Sequence, residues 1–188
     1  KPLVLVDRSF PDLEASSILI NNFDICYHST KQLLDNGCKN PAFISYKQNQ
    51  FHMNERKRGF VKAVKEAGVY NPENLKEVSY QSLREDIELA VSQLLSLPNK
   101  VDAFFFATNS ISIAGIKSLS KRGLIIQRNI QVMCFDEAEA LELLTYRIPY
   151  IKQPIEEMAK KSLKVLFDQI EKNETGVQKF YLDAKLID

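Results

Sequence analysis

Three apolar runs each end on one polar side chain: Leu3, Val4, Leu5 and Val6 on Asp7, Phe104, Phe105, Phe106, Ala107 and Thr108 on Asn109, and Val132, Met133, Cys134 and Phe135 on Asp136. If the runs are parallel strands, these groups emerge at carboxyl edges, where open α/β sheets bind small molecules. A carboxylate there accepts the hydroxyls of a sugar or an N–H of a base, and an amide both donates and accepts. The competing reading is that Asp and Asn simply begin the turns that follow strands. A fourth group is cationic. Arg56 lies at the start of an expected helix, one turn before Gly59 and Phe60. A guanidinium at that place can make forked hydrogen bonds to ligand oxygens, or can be one more solvated charge beside Lys57 and Arg58.

Nothing in this set calls for catalysis. The sequence has no phosphate-cradling glycine loop, no Gly-x-Ser-x-Gly elbow and no His-Asp pair at a plausible site, so an enzyme is not expected. Cys26, Cys38 and Cys134 are odd in number and lack paired metal spacing. They read as reduced, structural thiols, and neither a metal nor a cofactor is implied.

The elements that must hold these groups alternate regularly. Strands are expected near 3–6, 17–20, 41–45, 75–79, 101–107, 130–135, 148–152 and 178–187, with helices between most of them, which is the βαβ pattern of a parallel α/β sheet. Phe23, Tyr27 and Leu34 keep helical spacing up to Gly37, and Ile113, Ile116 and Leu119 up to Gly123. Phe60, Val64 and Ala67 give a helix ending at Gly68, and Ile87, Val91 and Leu94 one stopped before Pro98. The longest helix begins at Pro154 and carries Ile155, Met158, Ala159, Ser162, Leu163, Leu166 and Ile170 along one face until Asn173.

Composition narrows the class. The chain has 188 residues, 45% hydrophobic and 26% charged, close to ordinary soluble usage, with only six glycines and seven prolines. Its net charge of +1 offers no field to draw it onto nucleic acid. No apolar stretch reaches the roughly 18 residues of a membrane span, and no signal-peptide pattern opens the chain, so a soluble, cytoplasmic protein without membrane contact is expected. Lys1 enters a strand within two residues, without a helix or loop to cover either face, and this leads us to expect a preceding part of a larger protein.

The ordered set Val6-Asp7-Arg8, Asn21-Asn22, the Gly37 turn, Arg56-Lys57-Arg58-Gly59-Phe60, Asn109, Gly115, Arg122-Gly123-Leu124, Phe135-Asp136 and Gln153-Pro154 resembles the effector-binding core of the lactose and purine repressor (LacI/GalR) family. The resemblance implies an α/β fold, periplasmic-binding-protein-like type I, with a parallel sheet flanked by helices. It has two lobes joined by crossing strands and holds an effector between them. Residues 1–16 and 148–176 would be remnants of the first lobe, and 17–147 and 177–188 the nearly complete second lobe. An N-terminal helix-turn-helix and most of the first lobe would be absent.

The resemblance further implies that Arg56, Asn109 and Asp136 contact the effector, that Asp7 is a cleft position on the opposite wall, and that Asn21, where the family has an acid, is a further effector-binding position. His52, four residues before Arg56, falls near a small hydroxyl contact of the family, although the 46–55 loop is longer than usual. Tyr80 either stacks on a sugar face or packs. Ile155 either closes over the ligand or belongs to the core. Ser110 stands where the family often has an acid, and Asn21-Asn22 where it has an Asp-Asn pair, so the effector is expected to carry an anionic group met by Arg56 and Lys47.

The expected function is therefore the ligand-sensing domain of a bacterial LacI-type regulator. It would bind a small effector, a carbohydrate before a nucleobase, and reach operator DNA only through an absent N-terminal domain. A homodimer is expected through 109–122, the turn after Asp136 and the apolar Ala138, Ala140, Leu141, Leu143 and Leu144, which otherwise pack on their own lobe. The alternative is a periplasmic-type sugar receptor serving a transporter, which would share fold and cleft.

Overall fold

The computed structural model covers residues 1–188, and the residues described are 1–10, 12–47, 50–171 and 176–188. The expected helix stop at Asn173 lies outside them. The strands form two sheets. The smaller, in the order β1 (Val4–Val6), β2 (Ser16–Ile20), β8 (Lys179–Leu182), is wholly parallel. The larger runs β4 (Leu75–Val78), β3 (Pro41–Tyr46), β5 (Ala103–Phe106), β6 (Gln131–Phe135), β7 (Tyr150–Lys152), β9 (Lys185–Ile187). Only its last pair is antiparallel. The helices are α1 (Asn22–Asp35), α2 (Phe51–Glu66), α3 (Leu83–Leu95), α4 (Asn109–Lys121), the short α5 (Glu139–Glu142) and α6 (Ile155–Glu171).

Period-two alternation divides each strand of the larger sheet between two cores. Phe43, Phe105, Met133 and Phe135 join Ile25 and Cys26 of α1 and Phe60 and Val64 of α2. Ala42, Ile44, Phe104, Phe106, Val132 and Cys134 join Ile87, Val91 and Leu94 of α3 and Ile111 and Leu119 of α4. Both faces are covered, which is why these strands read as continuous apolar runs. Phe104, Phe105 and Phe106 are wholly buried, and each such ring contributes about 2–3 kcal/mol on leaving water. Gly37 and Gly123 end their helices at φ 92° and 71°, as expected of left-handed caps. All three cysteines are buried and free.

Gly59 sets the distance between α1 and α2. A Cβ there would stand 2.3 Å from the Phe23 carbonyl oxygen and 2.9 Å from the Tyr27 nitrogen, so only a glycine lets the two helices approach this closely. That approach brings residue 56 of α2 against residue 22 of α1.

The lobe boundaries differ from expectation in three places. The 16/17 boundary falls inside β2, which belongs to the smaller sheet over its whole length, between β1 and β8. β7, assigned to the first lobe, completes the larger sheet beside β6. The single closing strand at 178–187 is two strands, one for each sheet, broken at Asp183 and Ala184. α6 packs on the smaller sheet through Met158 and Val165. The chain thus passes between the units three times, after β2, after β7 and after β8. A short apolar run cannot announce which sheet it will enter, because either partner buries it equally well.

Candidate functional site

Arg56 is 2% exposed. Its Nε donates to Asn22 Oδ1 at 2.8 Å and its Nη1 to the Ala107 carbonyl at 2.8 Å, and its guanidinium carbon stands 3.4 Å from the centroid of the Phe135 ring. A buried charge costs several kcal/mol unless it is paired and hydrogen-bonded. Here a fork of oxygens, an aromatic face and nearby carboxylates supply the compensation. Burial pushes the Arg56 pKa down, while Asp136, Cys26 and Asp7 push it back up, and the ordinary value is high enough that the group stays charged. The reading of Arg56 as one more solvated charge is thereby excluded.

Asp7 and Asp136 end β1 and β6 in the same local conformation. Asp7 has φ 65° and Asp136 φ 74°, left-handed values that Asp tolerates better than most residues. Each still donates its backbone N–H across the sheet, Asp7 to Ile18 and Asp136 to Ile151, both at 2.9 Å. The chain then turns sharply and leaves the carboxylate at the sheet edge. Asp136 Oδ1 accepts from Gln153 Nε2 at 2.5 Å, whereas Asp7 Oδ1 is buried without a hydrogen-bond partner. The three strand-end groups do not share one sheet. Asn109 and Asp136 stand on the larger and Asp7 on the smaller, yet the charge of Asp7 is felt by both His52 and Arg56.

His52 is 6% exposed and its Nδ1 has no partner. Burial, with the charges of Arg56 and Arg8, lowers its pKa to about 4 against the opposing pull of Asp7, so the imidazole is neutral at pH 7. Asn109 opens α4 beside Thr108, whose hydroxyl accepts from the Ile111 N–H at 3.4 Å, and its Nδ2 donates to the Glu137 carbonyl at 3.0 Å. That bond holds the turn that follows Asp136.

The remaining expected residues lie further out. Tyr80 is 71% exposed, its ring 5.5 Å from that of Tyr46, whose hydroxyl is buried without a partner near Thr108 and Ser110. Asn21 is spent on the crossing: its Nδ2 donates to Asp183 Oδ1 at 3.0 Å and its Oδ1 accepts from the Ala184 N–H at 2.9 Å. Ile155 is 72% exposed at the first turn of α6 and is not core. Lys47 follows β3 and is exposed. Of the apolar stretch after Asp136, Ala138, Leu141 and Leu144 pack on their own lobe, while Ala140 and Leu143 face outward.

Asn22 and Phe135 stood in the motif set of the resemblance, but sequence reasoning gave neither of them the role of holding Arg56, which both do. Phe135 had a signal, since alternation along β6 puts it on the α1 and α2 face. Asn22 had none. Asp7, Arg56 and His52 lie within electrostatic reach of one another, and Asp136 within reach of Arg56. Among the described residues, no group of three His, Cys, Asp or Glu could hold a metal, and no helix is long and apolar enough to cross a membrane.

A two-sheet α/β chain with ligand-type groups at facing strand ends defines a class, and the comparisons bear it out. The chain belongs to the family described as periplasmic binding protein-like domain, whose sequence model matches residues 30–188. Within that family it is of the LacI/GalR kind. It is 26% identical over 170 residues to the transcriptional repressor PurR of Mannheimia succiniciproducens, covering 90% of this chain and 50% of that protein. It is 27% identical over 170 residues to the ribose operon repressor of Haemophilus influenzae, again over 90% of this chain and 51% of the other. A solved complex of the transcriptional regulator CelR with cellobiose has the same fold, with a TM-score of 0.86 at 23% identity over 98% of this chain and 57% of that one. The chain therefore spans about half the length of the curated relatives it matches. Those relatives are regulators, not enzymes or transport receptors.

Proposed function

We propose that this chain is the effector-sensing part of a LacI-type transcriptional regulator. It holds a small carbohydrate or carbohydrate derivative between the Asp7 edge and the edge formed by Arg56, Asn109 and Asp136. The observation that carries this reading is the buried, charged Arg56, fixed by Asn22, Ala107 and Phe135 between two strand-end aspartates. The names of two relatives support a sugar: one is a ribose operon repressor and another was solved with cellobiose.

No chemical step is required. An effector that prefers one lobe orientation by about 1–3 kcal/mol shifts the population, and a DNA-binding head elsewhere in the full-length protein reads the shift in the cytoplasm. Homodimerisation through α4 and the turn after Asp136 would use the outward-facing Ala140 and Leu143. A monomer by light scattering of the full-length protein would remove that part of the reading.

The test of the site is a thermal-shift screen with ribose, cellobiose and their phosphorylated forms, repeated on Arg56→Ala. A sugar-dependent rise in melting temperature that disappears in the variant supports the reading. A rise that survives it, or no rise with any sugar, overturns it. Binding of neutral sugars alone would remove the expectation of an anionic effector.

A further inference from the structure

α2 buries Met53, Arg56, Phe60, Ala63 and Val64 and turns its opposite face outward. An open groove of about 960 Å³ runs along that face, with Phe23 of α1, Val61 of α2 and Leu75 at the start of β4 as its apolar floor and Tyr70 beside them. Its lining holds four cations, Lys57, Arg58, Lys62 and Lys65, against one acid, Glu66.

These cations lie against aromatic rings. Lys62 Nζ stands 5.1 Å from the Tyr27 ring centroid and 5.7 Å from that of Phe23, the Arg58 guanidinium 5.4 Å from Phe23, and Lys65 Nζ 4.8 Å from Tyr70. A cation held over a ring has already lost part of its freedom, so less is lost when a partner arrives. The neighbouring acids are already engaged. Glu77 meets Lys57 at 2.8 Å, and Glu55 meets Arg58 one turn away on α2. Glu66 accepts from the Tyr27 hydroxyl at 2.6 Å and stands 3.7 Å from Lys62. Among the described residues Lys65 meets a ring and no carboxylate. Exposed ion pairs are each worth about 1 kcal/mol or less, so an incoming carboxylate can compete for these cations.

We propose that this face docks an acidic, amphipathic segment of a second protein, whose carboxylates meet Lys57, Lys62 and Lys65 while its apolar side chains rest on Phe23, Val61 and Leu75. Length favours a segment over a small anion. From Asn54 to Glu66 the face runs about 18 Å along α2, more than one small ion can span. The pattern of charge favours a protein over nucleic acid. Glu55, Glu66 and Glu77 are interleaved with the cations and repel an unbroken row of phosphates, whereas side-chain carboxylates on a segment can be spaced to pass between them. Aromatic rings and an arginine beside apolar floor are also the composition enriched in protein interfaces. The surface is separate from the strand-end groups, and the proposal does not depend on what they bind.

The test is fluorescence anisotropy with a labelled synthetic peptide of Glu and Leu in amphipathic helical order, about twelve residues long to match the face. The peptide is expected to bind the unaltered chain, more weakly as salt is raised. Lys62→Glu combined with Lys65→Glu is expected to weaken it about tenfold or more. Arg84→Glu combined with Arg128→Glu, an equal change of net charge on the α3 and α4 side of the sheet, is expected to leave binding unchanged. Lys62 and Lys65 are exposed, so circular dichroism should be unaltered, and the paired glutamine changes serve if charge reversal unfolds the chain. Absence of binding, or equal weakening by the two double variants, overturns the proposal. So does polyglutamate of the same length binding as tightly, since the apolar floor would then take no part, and so does displacement of the peptide by duplex DNA.

Discussion

At the scale of single residues, the site depends on one buried cation, and substitution there reports on both affinity and stability. Arg56→Ala strips Asn22 Oδ1 and the Ala107 carbonyl of their donor and leaves Asp7 and Asp136 uncompensated. It is expected to cost on the order of 2–3 kcal/mol, read by denaturant unfolding. Arg56→Lys should recover little of this, since an ammonium cannot span both oxygens while lying on the Phe135 ring. His52 adds a pH dependence. Its pKa falls from the ordinary 6.5 to about 4 on folding, so below pH 6.5 the unfolded chain binds the proton more readily. Its contribution to stability is whole above pH 6.5 and is lost progressively as the pH drops toward 4. Melting temperatures over that range should fall more steeply in the unaltered chain than in His52→Asn. Arg56 was legible through the family resemblance, which sets an effector-binding arginine there, whereas the helix start expected at Arg56 lies earlier, at Phe51. Its pairing with Asn22 was not legible, because a side chain's partner on another helix leaves no local trace.

At the scale of elements, the contact between α1 and α2 is what fits the site together. Gly59→Ala forces a methyl to within 2.3 Å of the Phe23 carbonyl. The helices must part, and the expected destabilisation is about 1–3 kcal/mol with a weakened Arg56–Asn22 bond, measured as a lower melting temperature and a lower sugar affinity in the same variant. On the opposite face, Glu88 of α3 accepts from Lys121 at 3.0 Å and Arg122 at 2.6 Å at the end of α4. The hydrogen bonds from Arg122 and Lys121 hold its pKa down to about 2, so this tie persists until strongly acid pH and is not what fails first as the pH falls. Most elements could be read from periodicity because each must cover an apolar face. The allocation of β2, β7 and the closing segment to sheets could not, because those strands are defined by their neighbours and not by their own pattern.

At the scale of the whole molecule, the last residues are a structural necessity for both units. β8 pairs with β2 in the smaller sheet and β9 with β7 in the larger. A chain ending before Gln178 is expected to lose cooperative unfolding in calorimetry, with the smaller sheet melting first, since it would keep two short strands. Of the three passages between units, Asn21 fastens the first to the third through Asp183 and Ala184, while Gln153 at the second is tied to Asp136. If the units move against each other, crossings tied in this way favour a rotation about them over sliding. In the proposed sensor the output would then have one dimension, whatever fills the cleft. Changes in the chemistry of the strand ends would then alter which molecule is read and how far the rotation goes, and would leave its direction untouched.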